Sequence, residues 1–473
     1  MELARCSWQG AGVTSDSPPS RPPARPVAAV ILAAGQGTRM KSDLHKVLHP
    51  IAGRPMLLHL IARVDQLAPA RTIVVVGARR EQVEAAVAPT AAEIVHQAEQ
   101  LGTGHAVARA EDALGGFAGD VLVLYGDAPL VTPETMRHML DRLHGADQPA
   151  CVVLGFRPPD AGAYGRVIAD VDGRIVKMVE YKDASAEERA ETLCNSGLMA
   201  VRNEDLFALL ARVGNANAAG EYYLPDIVML AAGDGRASAV IETGWEEVAG
   251  INSRAELAGV EASWQARRRA RAMADGATLI APETVWFAHD TEIGRDVTIE
   301  PNVVFGPGVR IADRAVIHAF SHIEGATVGE GASIGPYARL RPGTVVGEGA
   351  KIGNFVETKK TVLGKGAKAN HLTYLGDATV GAGANIGAGT ITCNYDGFFK
   401  YGTNIGAGAF VGSNSALVAP VSIGAGAIVG AGSVVTRDVE ADALALVRPE
   451  QVARSGWAKR FREAMLAKKK AAK

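Results

Sequence analysis

Hydrophobic and polar positions follow two different patterns along the chain, and the change falls near residue 250. Before that point, short apolar runs typical of β-strands alternate with stretches of helical periodicity. The predicted strands include residues 27–32, 72–76, 121–125 and 150–156, and the predicted helices include residues 80–87 and 133–143. This alternation predicts an α/β, Rossmann-like domain whose mostly parallel sheet is covered on both faces, with ligands at the carboxyl ends of the strands.

A six-residue repeat replaces this pattern from about residue 290. Its repeated apolar positions are Ile293, Ile299, Phe305, Ile311, Ile317 and Ile323, then Val328, Ile334, Leu340, Val346 and Ile352, and later Ile405, Val411, Leu417, Ile423, Val429 and Val435. One inward aliphatic side chain per six residues, often followed by a small turn residue, predicts a parallel β-helix of hexapeptide repeats. Between Gly353 and Ile405 the repeat is interrupted, and we expect the core to be broken there.

A helix is predicted between the two patterns, over residues 254–275. Ser253 and Glu256 have the spacing of a capping box, and the helix would be roughly 33 Å long. Its basic run, residues 267–269 and 271, is expected to form a solvated or inter-subunit face. The chain thus divides into a disordered extension (1–25), an α/β domain (26–253), a linker helix (254–275) and a β-helix with a C-terminal arm (276–473).

Composition and charge exclude several classes of partner. The 473 residues carry a formal net charge of −2, which gives no argument for nucleic acid or an anionic membrane as the main partner. The chain contains no uninterrupted apolar run of the roughly 18 residues that a membrane span needs. Its four cysteines, Cys6, Cys151, Cys194 and Cys393, are scattered without close pairing, so we expect a cytoplasmic protein.

The first apolar run leads into a glycine-rich turn followed by two cations. Gly35 and Gly37 allow the backbone to turn sharply and present N–H groups to phosphate oxygens, while Arg39 and Lys46 can neutralise the charge on departing pyrophosphate. The spacing fits neither the Walker nor the dinucleotide-binding pattern. We therefore expect a nucleoside triphosphate at this turn, although an ordinary glycine-rich turn between strand and helix has the same local composition.

Asp127 ends another apolar run, after Tyr125 and Gly126. At the carboxyl end of a strand its carboxylate could hold Mg²⁺ against triphosphate oxygens. An isolated Gly-Asp pair is also typical of a turn, or of a helix cap before Pro133. The triphosphate loop upstream favours the metal-binding interpretation.

Chemically capable side chains collect in and beside the interruption of the repeat. They are Arg341, Lys359, His371, Tyr374, Asn385, Asn394 and Tyr395. A β-helix kept only for assembly has no reason to interrupt its core with this set. The interruption therefore indicates a second catalytic site.

Longer motifs carry a resemblance to a known family. They are LAAGQGTRM…KVLHPIAGRPML from residue 32, QAEQLGTGHA (97–106), LYGDAPL (124–130), CNSG (194–197), GEYYLPDI (220–227), NHLTYLGD (370–377) and GAGTITCNYDG (387–397). The first resembles the sugar-nucleotidyltransferase signature. Together, over residues 27 to about 457, they resemble the bifunctional bacterial enzymes that acetylate glucosamine 1-phosphate and then uridylylate the product to UDP-N-acetylglucosamine.

The resemblance implies an activity for each domain. Residues 26–253 would use Mg²⁺ and UTP to uridylylate N-acetylglucosamine 1-phosphate, and the β-helix, implied to be left-handed, would use acetyl-CoA to acetylate glucosamine 1-phosphate. It also implies a homotrimer in which neighbouring chains share the acetylation site. The alternative is a sugar nucleotidyltransferase with one activity, whose β-helix only assembles or regulates it.

Roles in the α/β domain follow from the resemblance. Arg39 and Lys46 would be catalytic, and Asp127 and Asn252 would bind the metal. Nucleotide contacts are implied at Leu32, Ala33, Ala34, Gly35, Lys46, Gln97, Gly102, Thr103, Tyr125, Gly126 and Asp127, and sugar contacts at Gly165, Glu180 and Asn195.

In the β-helix, His371 is the expected general base, because an imidazole titrates near neutrality and can deprotonate the glucosamine ammonium. Glu357 is a candidate to orient its ring. Arg341 and Lys359 suit the sugar phosphate, as one forked donor and one point charge. The resemblance adds sugar-phosphate contacts at Tyr374 and Asn385, and acetyl-CoA contacts at Ala388, Asn394, Tyr395, Ser413, Ala431 and Arg448.

Two positions depart from the family pattern. His45 stands just before Lys46, where the family usually has proline, and is expected to loosen that loop. Asn370 replaces a usual glycine beside His371. Because asparagine tolerates a left-handed backbone, we expect the turn at Asn370 to survive at some cost.

Overall fold

The computed structural model describes residues 25–472. They form two compact units, one up to Val260 and one from Glu261. This boundary falls inside a long helix, Arg254–Ala274.

The first unit is a nine-stranded α/β sheet with helices and one small hairpin. Its strands are β1 (Val27–Ala33), β2 (Pro50–Ile51), β3 (Arg54–Pro55), β4 (Arg71–Val76), β5 (Glu93–His96), β6 (Asp120–Tyr125), β7 (Cys151–Phe156), β8 (Arg166–Ala169), β9 (Ile175–Val179), β10 (Cys194–Arg202) and β11 (Ala239–Thr243). Its helices are α1 (Met56–Val64), α2 (Arg80–Val87), α3 (Thr103–Ala108), α4 (Pro133–Leu143), α5 (Ala186–Arg189), α6 (Asn203–Leu210), α7 (Asp226–Gly233) and α8 (Trp245–Val248).

The main sheet runs in the order β11-β7-β10-β6-β1-β4-β5. Strands β6, β1, β4 and β5 are parallel neighbours, and β10 lies antiparallel between β6 and β7. The parallel strands read as continuous apolar runs because both faces are covered, and Val30, Val74 and Val123 are fully buried. The prediction of a mostly parallel sheet is confirmed, and the predicted strand and helix bounds agree to within a residue.

Helix α9 (Arg254–Ala274) begins at the predicted capping box. The Ser253 N–H donates to Glu256 Oε2 at 2.8 Å, and the Glu256 N–H donates to Ser253 Oγ at 3.3 Å. The basic run is less solvated than expected. Arg268 lies over the Phe287 ring and donates to the Thr291 carbonyl at 2.8 Å, so part of this face is packed.

The second unit is a parallel β-helix built from short strands. They are β12 (Thr278–Leu279), β13 (Glu292–Ile293), β14 (Thr298–Ile299), β15 (Val304–Phe305), β16 (Arg310–Ile311), β17 (Val316–Ile317), β18 (His322–Ile323), β19 (Ala326–Val328), β20 (Ser333–Ile334), β21 (Arg339–Leu340), β22 (Thr344–Val346), β23 (Lys351–Asn354), β24 (Glu357–Leu363), β25 (Lys368–His371), β26 (Tyr374–Val380), β27 (Asn385–Ile386), β28 (Ile391–Cys393), β29 (Thr403–Ile405), β30 (Phe410–Val411), β31 (Ala416–Val418), β32 (Val421–Ile423), β33 (Ile428–Val429), β34 (Val434–Val435) and β35 (Leu444–Ala445).

Each strand pairs in parallel with its counterpart one coil further on, as Ile317 does with Ile334 and Ile334 with Ile352. The repeated apolar side chains point inward and are buried, except Ile293 in the first strand of the repeat, which is half-buried. Glycine follows several of them because the coils approach closely at the corners: a Cβ on Gly412 would lie 2.4 Å from the Ala431 nitrogen. The predicted fold class, an α/β domain followed by a β-helix of hexapeptide repeats, is confirmed.

The expected break in the β-helix core is wrong. Parallel pairing continues from Lys351 to Lys368 and on to Asn385, in coils of 17 residues. The apolar signal weakens because threonines take inward positions with their hydroxyls satisfied, as when Thr361 Oγ1 donates to the Leu375 carbonyl at 2.8 Å. The real insertion is short, a loop that follows β28 and is closed by a bridge between Tyr395 and Lys400.

The predicted extension ends differently from expectation. Residues 1–24 lie outside the described residues. Arg25, the last residue of the predicted segment, is bound: its guanidinium donates to Glu204 at 2.8 Å and lies 3.4 Å from the buried Asp120 carboxylate. Asp120 also contacts His144 Nε2 at 2.6 Å.

The second unit ends in helix α10 (Trp457–Ala471), whose residues are all exposed. It carries the lysine-rich segment 468–470. Over residues 25–472, no helix combines the length and the apolar character needed to cross a membrane.

Candidate active sites

A cleft of about 270 Å³ opens at the carboxyl ends of β1 and β6. The two strands are paired so that Leu32 lies opposite Tyr125, and the Gly126 N–H donates to the Leu32 carbonyl at 2.9 Å. This pairing brings the glycine-rich turn beside Asp127. Predicted nucleotide residues that line the cleft are Leu32, Ala33, Ala34, Gly35, Lys46, Gln97, Gly102, Thr103, Tyr125 and Asp127.

Two side-chain oxygens converge on the Lys46 ammonium inside this cleft. Lys46 Nζ lies 2.5 Å from Asp127 Oδ2 and 3.1 Å from Asn252 Oδ1. Asp127 does not cap α4, because Thr132 is the residue at the N-cap position of that helix. One carboxylate and one amide oxygen directed at the same cation form a donor set that suits Mg²⁺, which takes few protein ligands and completes its shell with phosphate oxygens and water. The described residues contain no group of three or more His, Cys, Asp or Glu side chains that could hold a metal alone.

The predicted sugar residues form a second group in the same unit. The Asn195 N–H donates to the Gly165 carbonyl at 2.9 Å, and a Cβ on Gly165 would lie 3.1 Å from Glu180 Oε1. Glycine at 165 thus leaves room beside the carboxylate. Burial, followed by the negative charge of Asp226, raises the pKa of Glu180.

Arg39 is placed differently from Lys46. It lies in a 3-10 turn, Thr38–Met40, and its side chain is exposed. Its positive charge acts on Tyr164 and opposes the rise in the pKa of that phenol, which burial causes. No contact joins Arg39 to Asp127 in the described residues, so its role at the triphosphate stays a prediction.

His45 does not loosen the loop as expected. Its ring accepts a hydrogen bond from the Val47 N–H at 3.3 Å and caps the short turn that carries Lys46. Its φ of −58° is the value that a proline would impose, so histidine adopts this backbone without strain.

In the β-helix, His371 is exposed at a corner of the solenoid, and Asn354 holds it from the coil before. His371 Nδ1 lies 2.7 Å from Asn354 Oδ1, and the two residues are paired in register. With the amide oxygen as acceptor, Nδ1 carries the proton and Nε2 keeps its lone pair for a base. Glu357, the residue expected to orient this ring, instead accepts from Arg341 at 2.8 Å, so that expectation is wrong.

Cations gather beside this corner. The Lys400 ammonium, next to Lys359, lowers the pKa of the Lys359 ammonium, and the charges of Arg341 and Lys360 act in the same direction. Three cations close enough to disfavour the charge of Lys359 form, together with it, a site that suits a phosphate dianion. Lys400 is a residue that the sequence analysis missed.

The predicted acetyl-CoA residues stack on the corner that carries His371. The Gly389 N–H donates to the His371 carbonyl, the Asn414 N–H to the Ala388 carbonyl, and the Gly432 N–H to the Ser413 carbonyl. Arg448 Nη1 donates to the Ala431 carbonyl at 2.6 Å. From His371 to Ala431 this corner column spans three coil steps, about 14 Å at the usual strand spacing.

The remaining predicted residues lie along nearby coils. Asn394 Nδ2 donates to Asp377 at 2.6 Å, and a Cβ on Gly376 would meet both that nitrogen and the Tyr374 hydroxyl. Tyr395 is exposed in the inserted loop, with its hydroxyl on the Gly397 carbonyl. Asn385 pairs with Lys368 and lies one coil after it.

Asn370 lies in strand β25 and is absent from the described residues with positive φ. The left-handed residue beside the histidine is Leu372, with a φ of 49°. The expected strain at Asn370 is therefore not present.

Several functional candidates escaped the sequence analysis. Gln100 and Glu221 line the nucleotide cleft, Asn354 binds His371, and Lys400 joins the cation cluster. Gln100 lies within the motif QAEQLGTGHA (97–106), so the sequence contained a signal for this residue. Asn354 and Lys400 reach the site through coil stacking and the inserted loop, which residue spacing alone does not reveal.

Comparison with protein families agrees with this organisation. A family model described as the MobA-like NTP transferase domain matches residues 29–170, and the bacterial transferase hexapeptide model matches residues 290–325, 325–360 and 402–437. With the cleft and the corner column, they define a two-part transferase, an enzyme that joins an NTP-transferase domain to a hexapeptide β-helix.

Curated relatives then give the family. The chain is 72% identical to the bifunctional protein GlmU of Rhizorhabdus wittichii, with 95% of this chain and 99% of the relative covered. It is 69% identical to that of Sphingopyxis alaskensis and 60% identical to that of Zymomonas mobilis, in each case over at least 93% of this chain and 98% of the relative. The chain belongs to the family of the bifunctional protein GlmU.

Proposed function

We propose that the chain makes UDP-N-acetylglucosamine in two reactions at two sites. The β-helix acetylates glucosamine 1-phosphate with acetyl-CoA, and the α/β unit transfers UMP from UTP to N-acetylglucosamine 1-phosphate. The observation that carries the proposal is the presence, in one chain, of a phosphate-binding cleft with Lys46 and Asp127 and a base-bearing corner with His371. Membership of a bifunctional family supports it.

Uridylyl transfer needs no protein nucleophile. The N-acetylglucosamine 1-phosphate oxygen attacks the α-phosphorus of UTP, and pyrophosphate leaves. Lys46 neutralises triphosphate charge, Arg39 is proposed to assist it, and Gly35 and Ala34 present backbone to the phosphates. We propose Mg²⁺ as the metal, held by Asp127 and Asn252; when bound it supplies further neutralisation of charge on the phosphates.

The sugar of the acceptor would lie against Gly165, Glu180 and Asn195. The pKa of Glu180 is raised, and its carboxyl lies beside the open space at Gly165. This carboxyl can therefore accept hydrogen bonds from sugar hydroxyls in a largely buried position. Gln97, Gly102 and Thr103 are proposed to hold the uracil.

Acetyl transfer begins with loss of a proton from the glucosamine ammonium to His371 Nε2. The amine then attacks the thioester carbonyl, the amide forms, and the CoA sulfur leaves and takes a proton. Arg341, Lys359 and Lys400 would hold the sugar phosphate, with Tyr374 and Asn385 beside them. Acetyl-CoA would run along the corner column formed by Ala388, Ser413, Ala431 and Arg448, with Asn394 and Tyr395 nearby.

We propose a homotrimer for the acetylation site. The aromatic side chains of Phe320, Tyr337 and Phe355 stack on an exposed corner of the β-helix, and Leu372, next to His371, is also exposed. Such a continuous apolar column is typical of a surface covered by another chain. Cyclic assembly of three chains would cover it and turn the open corner beside His371 into a cleft. Sedimentation of the active enzyme as a monomer would contradict this arrangement.

The cytoplasm is the compartment we propose, because the thiols of Cys151, Cys194 and Cys393 are free, which suits a reducing environment.

The decisive experiment assays the two half-reactions separately on the purified full chain. Acetyl-CoA with glucosamine 1-phosphate should release free CoA thiol, and UTP with N-acetylglucosamine 1-phosphate should release pyrophosphate. Pyrophosphate release without acetyl transfer would favour the alternative, a single-activity nucleotidyltransferase with a structural or regulatory β-helix.

A further inference from the structure

A buried histidine lies directly before Lys46. Lys46 begins a short 3-10 turn, Lys46–Leu48, and His45 precedes it with only 1% of its surface exposed. Because Lys46 reaches Asp127 and Asn252 from this turn, the position of the turn decides where the ammonium lies. The groups that fix the turn therefore affect the nucleotide cleft directly.

One ring nitrogen of His45 has a hydrogen-bond partner, and the other, Nε2, is buried without one among the described residues. Nδ1 accepts from the Val47 N–H at 3.3 Å, so in the neutral ring the proton lies on Nε2. The hydrogen bond of the ring therefore lies within the turn that carries Lys46, where it satisfies the Val47 N–H. His45 thus acts as the cap of that turn.

The backbone of His45 is anchored as well. Its N–H donates to Gln82 Oε1 at 2.7 Å, and Gln82 Nε2 donates to the Asp43 carbonyl at 3.0 Å. Gln82 belongs to α2, so the turn is fixed to a regular element. These hydrogen bonds indicate that His45 fixes the position of the turn, in addition to packing in the core.

We propose that His45 is a positioning residue for uridylyl transfer, which caps the turn that carries Lys46 and so fixes where the ammonium meets the triphosphate. The inference rests on the proposed uridylyltransferase function. It concerns a buried residue that does not line the nucleotide cleft, so its effect should pass through Lys46.

The charge state of the ring agrees with this role. Burial, followed by the charges of Lys46 and Arg79, lowers the pKa of His45 to about 4. The ring is therefore neutral at pH 7 and keeps the Nδ1 lone pair that Val47 needs. It also adds no positive charge beside Lys46.

The test is a double-mutant cycle on the full-length enzyme, with UTP binding measured by titration calorimetry. His45→Phe keeps a planar ring but removes the hydrogen bond to the Val47 N–H, and one neutral bond at its usual strength predicts about fivefold weaker UTP binding. His45→Asn, which can still cap the turn, should recover most of that loss. In a Lys46→Ala background, His45→Phe should have no further effect on UTP binding.

A matched control is His144→Phe, which removes a histidine bound to Asp120 in the same unit but outside the cleft. It should leave UTP affinity unchanged whatever it does to thermal stability. The same loss of UTP affinity with and without the Lys46 side chain, or His45→Phe within twofold of wild type, would overturn the inference. If the wild-type enzyme itself released no pyrophosphate, the proposed function would fail instead.

Discussion

At the residue scale, the neighbours of each candidate group decide its chemistry. Asn354 and Glu357 lie three positions apart in the sequence, and either could have served His371. The coil geometry assigns Asn354 to the histidine and Glu357 to Arg341. Glu357 therefore acts on the guanidinium proposed to hold the phosphate, and Asn354 sets which nitrogen of the ring is the base.

This assignment predicts different kinetic effects for the two residues. Asn354→Ala frees the ring to adopt the wrong tautomer and should lower kcat for acetyl transfer by about tenfold or more. Glu357→Gln should act mainly on KM for glucosamine 1-phosphate, because it changes the partner of Arg341. Steady-state kinetics of both variants check this, and the reverse pattern would return the orienting role to Glu357.

The depressed pKa of His45 predicts a pH dependence of stability. The unfolded ring takes a proton near pH 6.5, whereas the folded ring resists it until about pH 4. The unfolded state therefore binds more protons in this window, and the free energy of unfolding falls as the pH falls from about 6.5 to about 4.

The variant His45→Asn lacks this titrating ring. Its free energy of unfolding should therefore fall less than that of the wild type as the pH falls from about 6.5 to about 4. Urea denaturation of both proteins at several pH values measures it. Parallel stability curves would show that the ring titrates normally.

At the element scale, regular patterns were readable from the sequence and irregular ones were not. Strands such as β1 and helices such as α2 and α4 follow continuous apolar runs or helical periodicity, so their bounds could be predicted. The 17-residue coils between β23 and β27 could not, because inward threonines replace the aliphatic signal. The same weakening of the six-residue apolar pattern hid the contact between Asn354 and His371.

The first residue of α9 also makes stabilising contacts within the α/β unit. Arg254 Nη1 donates to His49 Nδ1 at 3.2 Å and its Nε donates to the Met40 carbonyl at 3.3 Å, so the first residue of the helix ties down segments on both sides of Lys46. Asn252, the proposed metal ligand, lies two residues before it. The residue at which an isolated α/β fragment ends should therefore affect its stability and its UTP binding.

Two fragments test this point. Residues 25–253 retain Asn252 but lose Arg254, whereas residues 25–274 retain both. We expect uridylyl transfer from both, with a lower melting temperature and weaker UTP binding for the shorter fragment, and Arg254→Ala in the longer fragment should reproduce part of that loss. Equal stability and activity of the two fragments would remove Arg254 from this account.

At the scale of the whole molecule, the chain combines two folds that form their candidate ligand-binding sites in different ways. The α/β unit has a cleft at the ends of two adjacent parallel strands, where the fold itself provides concavity. Within residues 25–472, His371 lies at an exposed corner of the β-helix, and the proposed trimer would enclose it. The sequence could indicate both folds, but the shared-site trimer follows from resemblance and from exposed apolar surface, and it stays a proposal.

The central claim is that one chain performs two separable reactions, and crossed variants test it most directly. Asp127→Ala should abolish uridylyl transfer and leave acetyl transfer near the wild-type rate, while His371→Ala should lower acetyl transfer by about 10²- to 10⁴-fold and leave uridylyl transfer unchanged.

The one measurement is the rate of UDP-N-acetylglucosamine formation from glucosamine 1-phosphate, acetyl-CoA and UTP. Each variant alone should form it very slowly, and the two purified variants mixed in one reaction should form it readily, because N-acetylglucosamine 1-phosphate diffuses from one to the other. Loss of both half-reactions in either folded variant, or no recovery in the mixture, would contradict the account.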